Sequence, residues 1–86
     1  MIRVRLVGHI RTSLSRDEIE IESPRIGAAQ LIEELRGMAN HDPRLGFTKF
    51  NTIMIVNGGE AFTPGADDRT LKDGDTVLLL PFSHGG

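Results

Sequence analysis

Thr76-Val77-Leu78-Leu79-Leu80, followed by Pro81-Phe82-Ser83-His84-Gly85-Gly86, dictates how the rest of the chain must be arranged. Val77 to Leu80 is apolar on both faces, so this strand has no side to offer water. Such a strand is covered front and back and belongs at the centre of a sheet. The closing residues are the opposite. Gly85 and Gly86 pack nothing and lose the most backbone freedom on ordering, so they do not serve the fold. The contrast makes the Gly86 carboxylate the candidate reactive group, with the folded part as its handle.

Upstream of that strand, Leu71-Lys72-Asp73-Gly74-Asp75 reads as the turn that feeds it, with Gly74 supplying left-handed geometry. Thr63 to Asp68 reads as loop. Ile53-Met54-Ile55-Val56 is a short apolar strand closed by Asn57-Gly58-Gly59, residues that supply the positive φ of a tight hairpin turn. Glu60-Ala61-Phe62 is then a short return strand.

At the start of the chain, Ile2, Val4 and Leu6 alternate with Arg3, Arg5 and Val7, the period of a half-buried strand. Residues Gly8 to Arg16 break that period and read as a loop from which Ile10 and Leu14 reach the core. Glu18-Ile19-Glu20-Ile21-Glu22 alternates again, with Ile19 and Ile21 inward. An antiparallel hairpin of these two strands sets Arg3 and Arg5 against Glu18, Glu20 and Glu22 on a solvated face. Opposite charges paired this way contribute a few tenths to about 1 kcal/mol each.

One helix stands between the two halves. Ser23-Pro24 opens it, or Arg25-Ile26 one or two residues later. Ala28, Leu31, Ile32, Leu35, Met38 and Ala39 recur at helical spacing, with Gln30, Glu33, Glu34 and Arg36 outside that stripe. Asn40 suits a left-handed cap, and Pro43 cannot continue the helix. Arg44 to Asn51 is a connector, with Leu45, Phe47 and Phe50 as core satellites.

The order strand, strand, helix, strand, short strand, strand predicts an α+β fold of the β-grasp (ubiquitin-like) kind. Its mixed sheet has four to five strands, with one main helix packed on one face. The first and last strands lie side by side and point the same way. The domain spans 1–81, and 82–86 is a flexible tail that leaves from the end of the central strand.

Composition narrows the functions available. Eighty-six residues make one domain, 38% hydrophobic and 26% charged, as in a soluble globular protein. The absence of Cys excludes a disulfide framework, a thiolate metal site and a thiol nucleophile. A net charge of -2, with four Phe, no Tyr and no Trp, argues against a nucleic-acid partner. No run reaches the length of a membrane span, and Met1-Ile2-Arg3-Val4 reads at once as strand, so a cytoplasmic address without a membrane partner is expected. His9, His41 and His84 have no ligand spacing, so no metal is expected. Asp67-Asp68 reads as a solvated pair and Gly58-Gly59 as a turn.

The tail has the features that carboxylate activation demands. An enzyme must bring the carboxylate in line with an ATP phosphorus inside a narrow channel, where a side chain on Gly85 or Gly86 would obstruct it. Six residues at 3.3–3.6 Å each reach roughly 20 Å, enough to thread a partner's active site from outside. His84 and Gly85 are the threading positions. Phe82, with Pro81, Leu80 and Leu78, is the candidate partner-binding group, because aromatics carry much of the energy at interfaces. The rival reading folds Phe82 back onto its own domain.

Ile55-Val56-Asn57-Gly58, then Leu71-Lys72-Asp73-Gly74-Asp75-Thr76-Val77, then Gly85-Gly86, together resemble the MoaD/ThiS family of ubiquitin-like sulfur carrier proteins. The Ile2-Arg3-Val4-Arg5-Leu6 opening and the Leu31-Ile32-Glu33-Glu34-Leu35 helix fit the same pattern, so the resemblance spans nearly the whole chain. The ending His84-Gly85-Gly86 also looks like that of the ubiquitin-related modifier. Two positions depart from the pattern: Val7 stands where an aromatic is usual, and Phe82-Ser83-His84 replaces the commoner Pro-Val-Ser or Pro-Val-Ala.

The resemblance implies a carrier rather than an enzyme, with no bound cofactor. A ubiquitin-activating-type adenylyltransferase would spend ATP on the Gly86 carboxylate, and a persulfide sulfur donor would convert the adenylate to a thiocarboxylate. A sulfur-accepting enzyme of the molybdopterin synthase large-subunit type would then take the sulfur for molybdenum (or tungsten) cofactor. The chain would serve as that synthase's small subunit. Thiamin synthesis and tRNA thiolation are alternative destinations; the length of the chain favours molybdopterin over thiamin. A protein modifier that forms isopeptides through Gly86 stands as the alternative, and a plain interaction module as a third.

Overall fold

The structure is a computed structural model and describes residues 1–39 and 46–82. Its elements are β1 (Ile2–Leu6), α1 (Gly8–Leu14), β2 (Glu18–Ile21), β3 (Arg25–Gly27), α2 (Ala28–Met38), β4 (Thr52–Val56), β5 (Ala61–Phe62), β6 (Thr70–Lys72) and β7 (Thr76–Pro81). Five strands form one mixed sheet in the order β2-β1-β7-β4-β5, and β3 pairs with β6 in a separate two-stranded sheet. β7 is central, parallel to β1 and antiparallel to β4. This is a β-grasp-like α+β arrangement, with the first and last strands adjacent and co-directional as the order of elements predicted.

The core lies on one side of that sheet. Ile2, Val4 and Leu6 of β1, Met54 of β4, and Val77 and Leu79 of β7 meet Ala28, Leu31, Ile32 and Leu35 of α2. Burying each of the large aliphatics contributes about 1.5–3 kcal/mol. Phe47 joins this cluster from the connector. Phe50 does not: it is 68% exposed, its ring resting on the backbone at Gly65, where a Cβ would stand 2.5 Å from the ring. Met38 also departs from the expected stripe. As the last residue of α2 it is 51% exposed, because the helix runs past the core there.

Residues 8–14 form a helix where a loop was expected. Seven residues containing Gly8, Thr12 and Ser13 make a poor helix in isolation. Burial of Ile10 and Leu14 holds it, and Ser15 at φ 56° closes its C-terminus with its N–H on the Arg11 and Thr12 carbonyls. The same helix buries Ser13 to 2% exposure with no partner for Oγ. Removing an unmatched buried hydroxyl relieves a desolvation cost, so Ser13→Ala is expected to stabilise by about 1 kcal/mol. Thermal melting checks this, with a rise of about 4–8 °C.

The helix start also differs. Arg25–Gly27 pairs with Thr70–Lys72 as strand, so α2 begins at Ala28 and not at Ser23-Pro24. Its capping acceptor comes from 39 residues away: the Ala29 N–H donates to Asp68 Oδ1 at 2.9 Å. Asp67 binds the Arg69 guanidinium at 2.8 Å, which itself lies over the Phe62 ring. The Asp67-Asp68 pair is therefore structural in both members rather than merely solvated. Asn40, Pro43 and Leu45, expected to end the helix and add to the core, lie outside the described residues.

Two turns meet expectation and are tied together. Asn57 (φ 52°) and Gly58 (φ 71°) close the β4–β5 hairpin, and Gly74 (φ 95°) turns β6 into β7. Asn57 Oδ1 accepts the Thr76 N–H at 2.9 Å and Asn57 Nδ2 donates to Asp75 Oδ1 at 3.0 Å. Asp75 Oδ2 in turn accepts the Lys72 N–H at 2.9 Å.

Candidate functional site: the open sheet face and the root of the tail

Strand alternation sends every second side chain of the sheet away from α2. On β7 the inward set is Val77 and Leu79, so Leu78 and Leu80 both face outward, each half-buried. Register places Ile55 beside Leu78 and Ile53 beside Leu80. Four aliphatic side chains thus form one contiguous strip on the open face. Ile53 and Ile55 were not anticipated there, although the period of Ile53-Met54-Ile55 carries the signal: with Met54 fully buried, its neighbours must point the other way.

The strip is bordered by charge. At the level of Leu78 the row across the sheet reads Glu18, Arg5, Leu78, Ile55, Ala61. Arg3 Nε reaches diagonally to Glu18 Oε1 at 2.8 Å rather than to Glu20 directly opposite. These exposed pairs contribute little to stability. They bound the apolar strip and leave it open on the β4 side.

The root of the tail is fixed on two sides. Pro81 packs against the start of α1, where Gly8 (φ 62°) is required: a Cβ there would stand 2.7 Å from Pro81 Cγ. On the other side the Phe82 N–H donates to the Asn51 carbonyl at 2.8 Å, carrying the β4–β7 ladder one residue past the strand. Phe82 comes two residues after Leu80 and is 43% exposed. The alternation therefore extends the line Leu78, Leu80, Phe82 towards the end of the chain. Ser83, His84, Gly85 and Gly86, the expected threading and reactive positions and the residues around them, lie outside the described residues.

Other surface features are separate from this site. A shallow concavity of about 750 Å³ lies beside α1, lined by Gly8, Arg11, Thr12, Ser15, Arg16 and Asp17. Among the described residues no three His, Asp or Glu side chains converge as metal ligands, and no helix is long and apolar enough to cross a membrane. No protein-family model matches the chain, and no significant similarity links it to a curated protein or to a solved structure.

Proposed function

We propose that the chain is a sulfur carrier whose Gly86 carboxylate is adenylated and converted to a thiocarboxylate, with molybdopterin synthesis as the favoured destination. The observation that supports this most is the continuity of Leu78, Leu80 and Phe82. Leu78 and Leu80 face outward on the central strand, and Phe82 follows at the same two-residue spacing, next in sequence to Ser83-His84-Gly85-Gly86. A partner that grips this line holds the strand from which the tail departs. Few rotatable bonds then separate the gripped surface from the reacting carbon, which limits the entropy lost in positioning it.

The chemistry assigned to Gly86 uses the partner's ATP. A carboxylate oxygen attacks the α-phosphorus and pyrophosphate leaves. The outer sulfur of the donor's persulfide then displaces AMP at the acyl carbon. A thiol of the partner attacks the inner sulfur of the resulting acyl persulfide, forming a disulfide and releasing the Gly86 thiocarboxylate. Gly85 and Gly86 contribute by their lack of side chains, and His84 as a threading position that can hydrogen-bond to the activating enzyme. The natural chain must end at Gly86, or be trimmed to it, for this carboxylate to exist.

Incubation with the cognate activating enzyme, ATP and a sulfur source, then intact-mass measurement, tests the reading. The expected product is heavier by one sulfur-for-oxygen exchange. Ladders of lysine-linked adducts on other proteins would identify the modifier instead, and an unchanged mass would eliminate both. In the same assay Leu80→Asp is expected to slow adenylation at least tenfold through lost docking. Its tail chemistry is intact, so high concentrations of the activating enzyme should restore the reaction.

A further inference from the structure

Arg25 and Lys72 stand directly opposite each other in the β3–β6 pair. Their neighbours Ile26 and Leu71 turn into the core, so both cations are on the outward face, and both are exposed. Like charges in register across an antiparallel pair destabilise it. Among the described residues neither side chain has an ion-pair or hydrogen-bond partner. Three nearby carboxylates are engaged elsewhere. Asp73 pairs with the Met1 amino group, Asp75 with Asn57 and the Lys72 N–H, and Asp68 with the Ala29 N–H.

The backbone beneath the pair is tightly held. Ser23 Oγ accepts the Arg25 N–H and donates to the Arg25 carbonyl at 2.8 Å, and the Asp73 N–H donates to the Pro24 carbonyl at 3.1 Å. Two cations are therefore kept about 5 Å apart at their backbones at a cost in stability. Local rules broken in this way are characteristic of functional sites.

We propose that Arg25 and Lys72 form a docking site for a carboxylate-rich segment of a partner protein. One carboxylate between them satisfies both cations, and removes the repulsion that the free protein carries. A nucleic-acid backbone is the poorer match, because affinity for it grows with the number of phosphates neutralised and the site offers only two cations. The site lies at the start of β7, while the tail leaves from its end, roughly 16 Å away along the strand. An acidic partner bound here leaves the tail and the apolar strip free, so the site is independent of the carrier reading.

The probe is an acetylated, amidated hexapeptide of alternating Asp and Glu, with binding read from backbone amide shifts and from thermal melting. Saturable shifts are expected to centre on Arg25, Ile26, Leu71 and Lys72, and to weaken at least tenfold in Lys72→Glu. Lys49→Glu, the same charge change elsewhere, should leave binding within about twofold. Lys72→Glu should also melt about 2–6 °C above the wild type, because it replaces a like pair with an opposite one. Equal losses in Lys49→Glu and Lys72→Glu would mean diffuse attraction and overturn the proposal. Shifts centred elsewhere, no saturation, or a Lys72→Glu protein that melts no higher would overturn it too.

Discussion

A chain lacking Gly86 is expected to melt at the temperature of the full chain and yet to give no thiocarboxylate. Removing one residue draws the carboxylate back by about 3.5 Å. Misplacing a reacting group by about 1 Å already costs on the order of a hundredfold in rate, so the loss in adenylation should exceed a thousandfold. The melt should hold because β7 is kept in the sheet by residues 76–82, through Val77 and Leu79 in the core and the Phe82 N–H on Asn51. Gly86→Ala separates reach from bulk. It keeps the length and adds one methyl group, so failure of that variant points to a narrow channel. A truncated chain that is adenylated at the normal rate would remove Gly86 from the mechanism.

The second large effect is expected at Asp75, in stability rather than chemistry. The residue is 7% exposed and its carboxylate joins two turns: it accepts from Asn57 in the β4–β5 turn and from the Lys72 N–H as β6 turns into β7. Asp75→Ala removes both bonds and leaves the Lys72 N–H without an acceptor. Hydrogen bonds to a charged group contribute about 1.5–3 kcal/mol, and a buried orphan donor adds to the loss. We expect a destabilisation of about 2–4 kcal/mol, a fall in melting temperature of about 10–20 °C. Asp75→Asn keeps one acceptor oxygen and should lose roughly half as much. Urea unfolding at a constant m-value measures both; a loss below about 1 kcal/mol in Asp75→Ala would mean that the turns hold without this clamp.

The strands and turns themselves illustrate what can be read along a chain, whereas the Asp75 bonds that tie two of those turns together do not show in it. Alternation in Ile2-Arg3-Val4-Arg5-Leu6 and in Glu18-Ile19-Glu20-Ile21 is imposed by the two-residue period of extended backbone, so a few residues suffice to display it. The apolar run Val77 to Leu80 announces a central strand for the same reason. Asn57-Gly58 and Gly74 announce turns because their φ values exclude most other residues. Which face of the Val77 to Leu80 run meets the helix is not legible in it: the burial of Val77 and Leu79 decides that Leu78 and Leu80 point outward.

Period and φ preference are properties of neighbouring residues, which is why the sheet's main strands, the long helix and the turns at Asn57-Gly58 and Gly74 were legible in the order of the amino acids alone. The remainder needed contacts between distant parts of the chain. Arg25–Gly27 and Thr70–Lys72 are each too short to show a period and are strands only because they pair with one another, more than 40 residues apart. Residues 8–14 are helical because Ile10 and Leu14 are buried, and α2 begins at Ala28 with Asp68 to cap it. The opposition of Arg25 to Lys72 arises in the same way: it comes into being when the chain closes on itself, since repulsion depends on distance in space and not along the sequence.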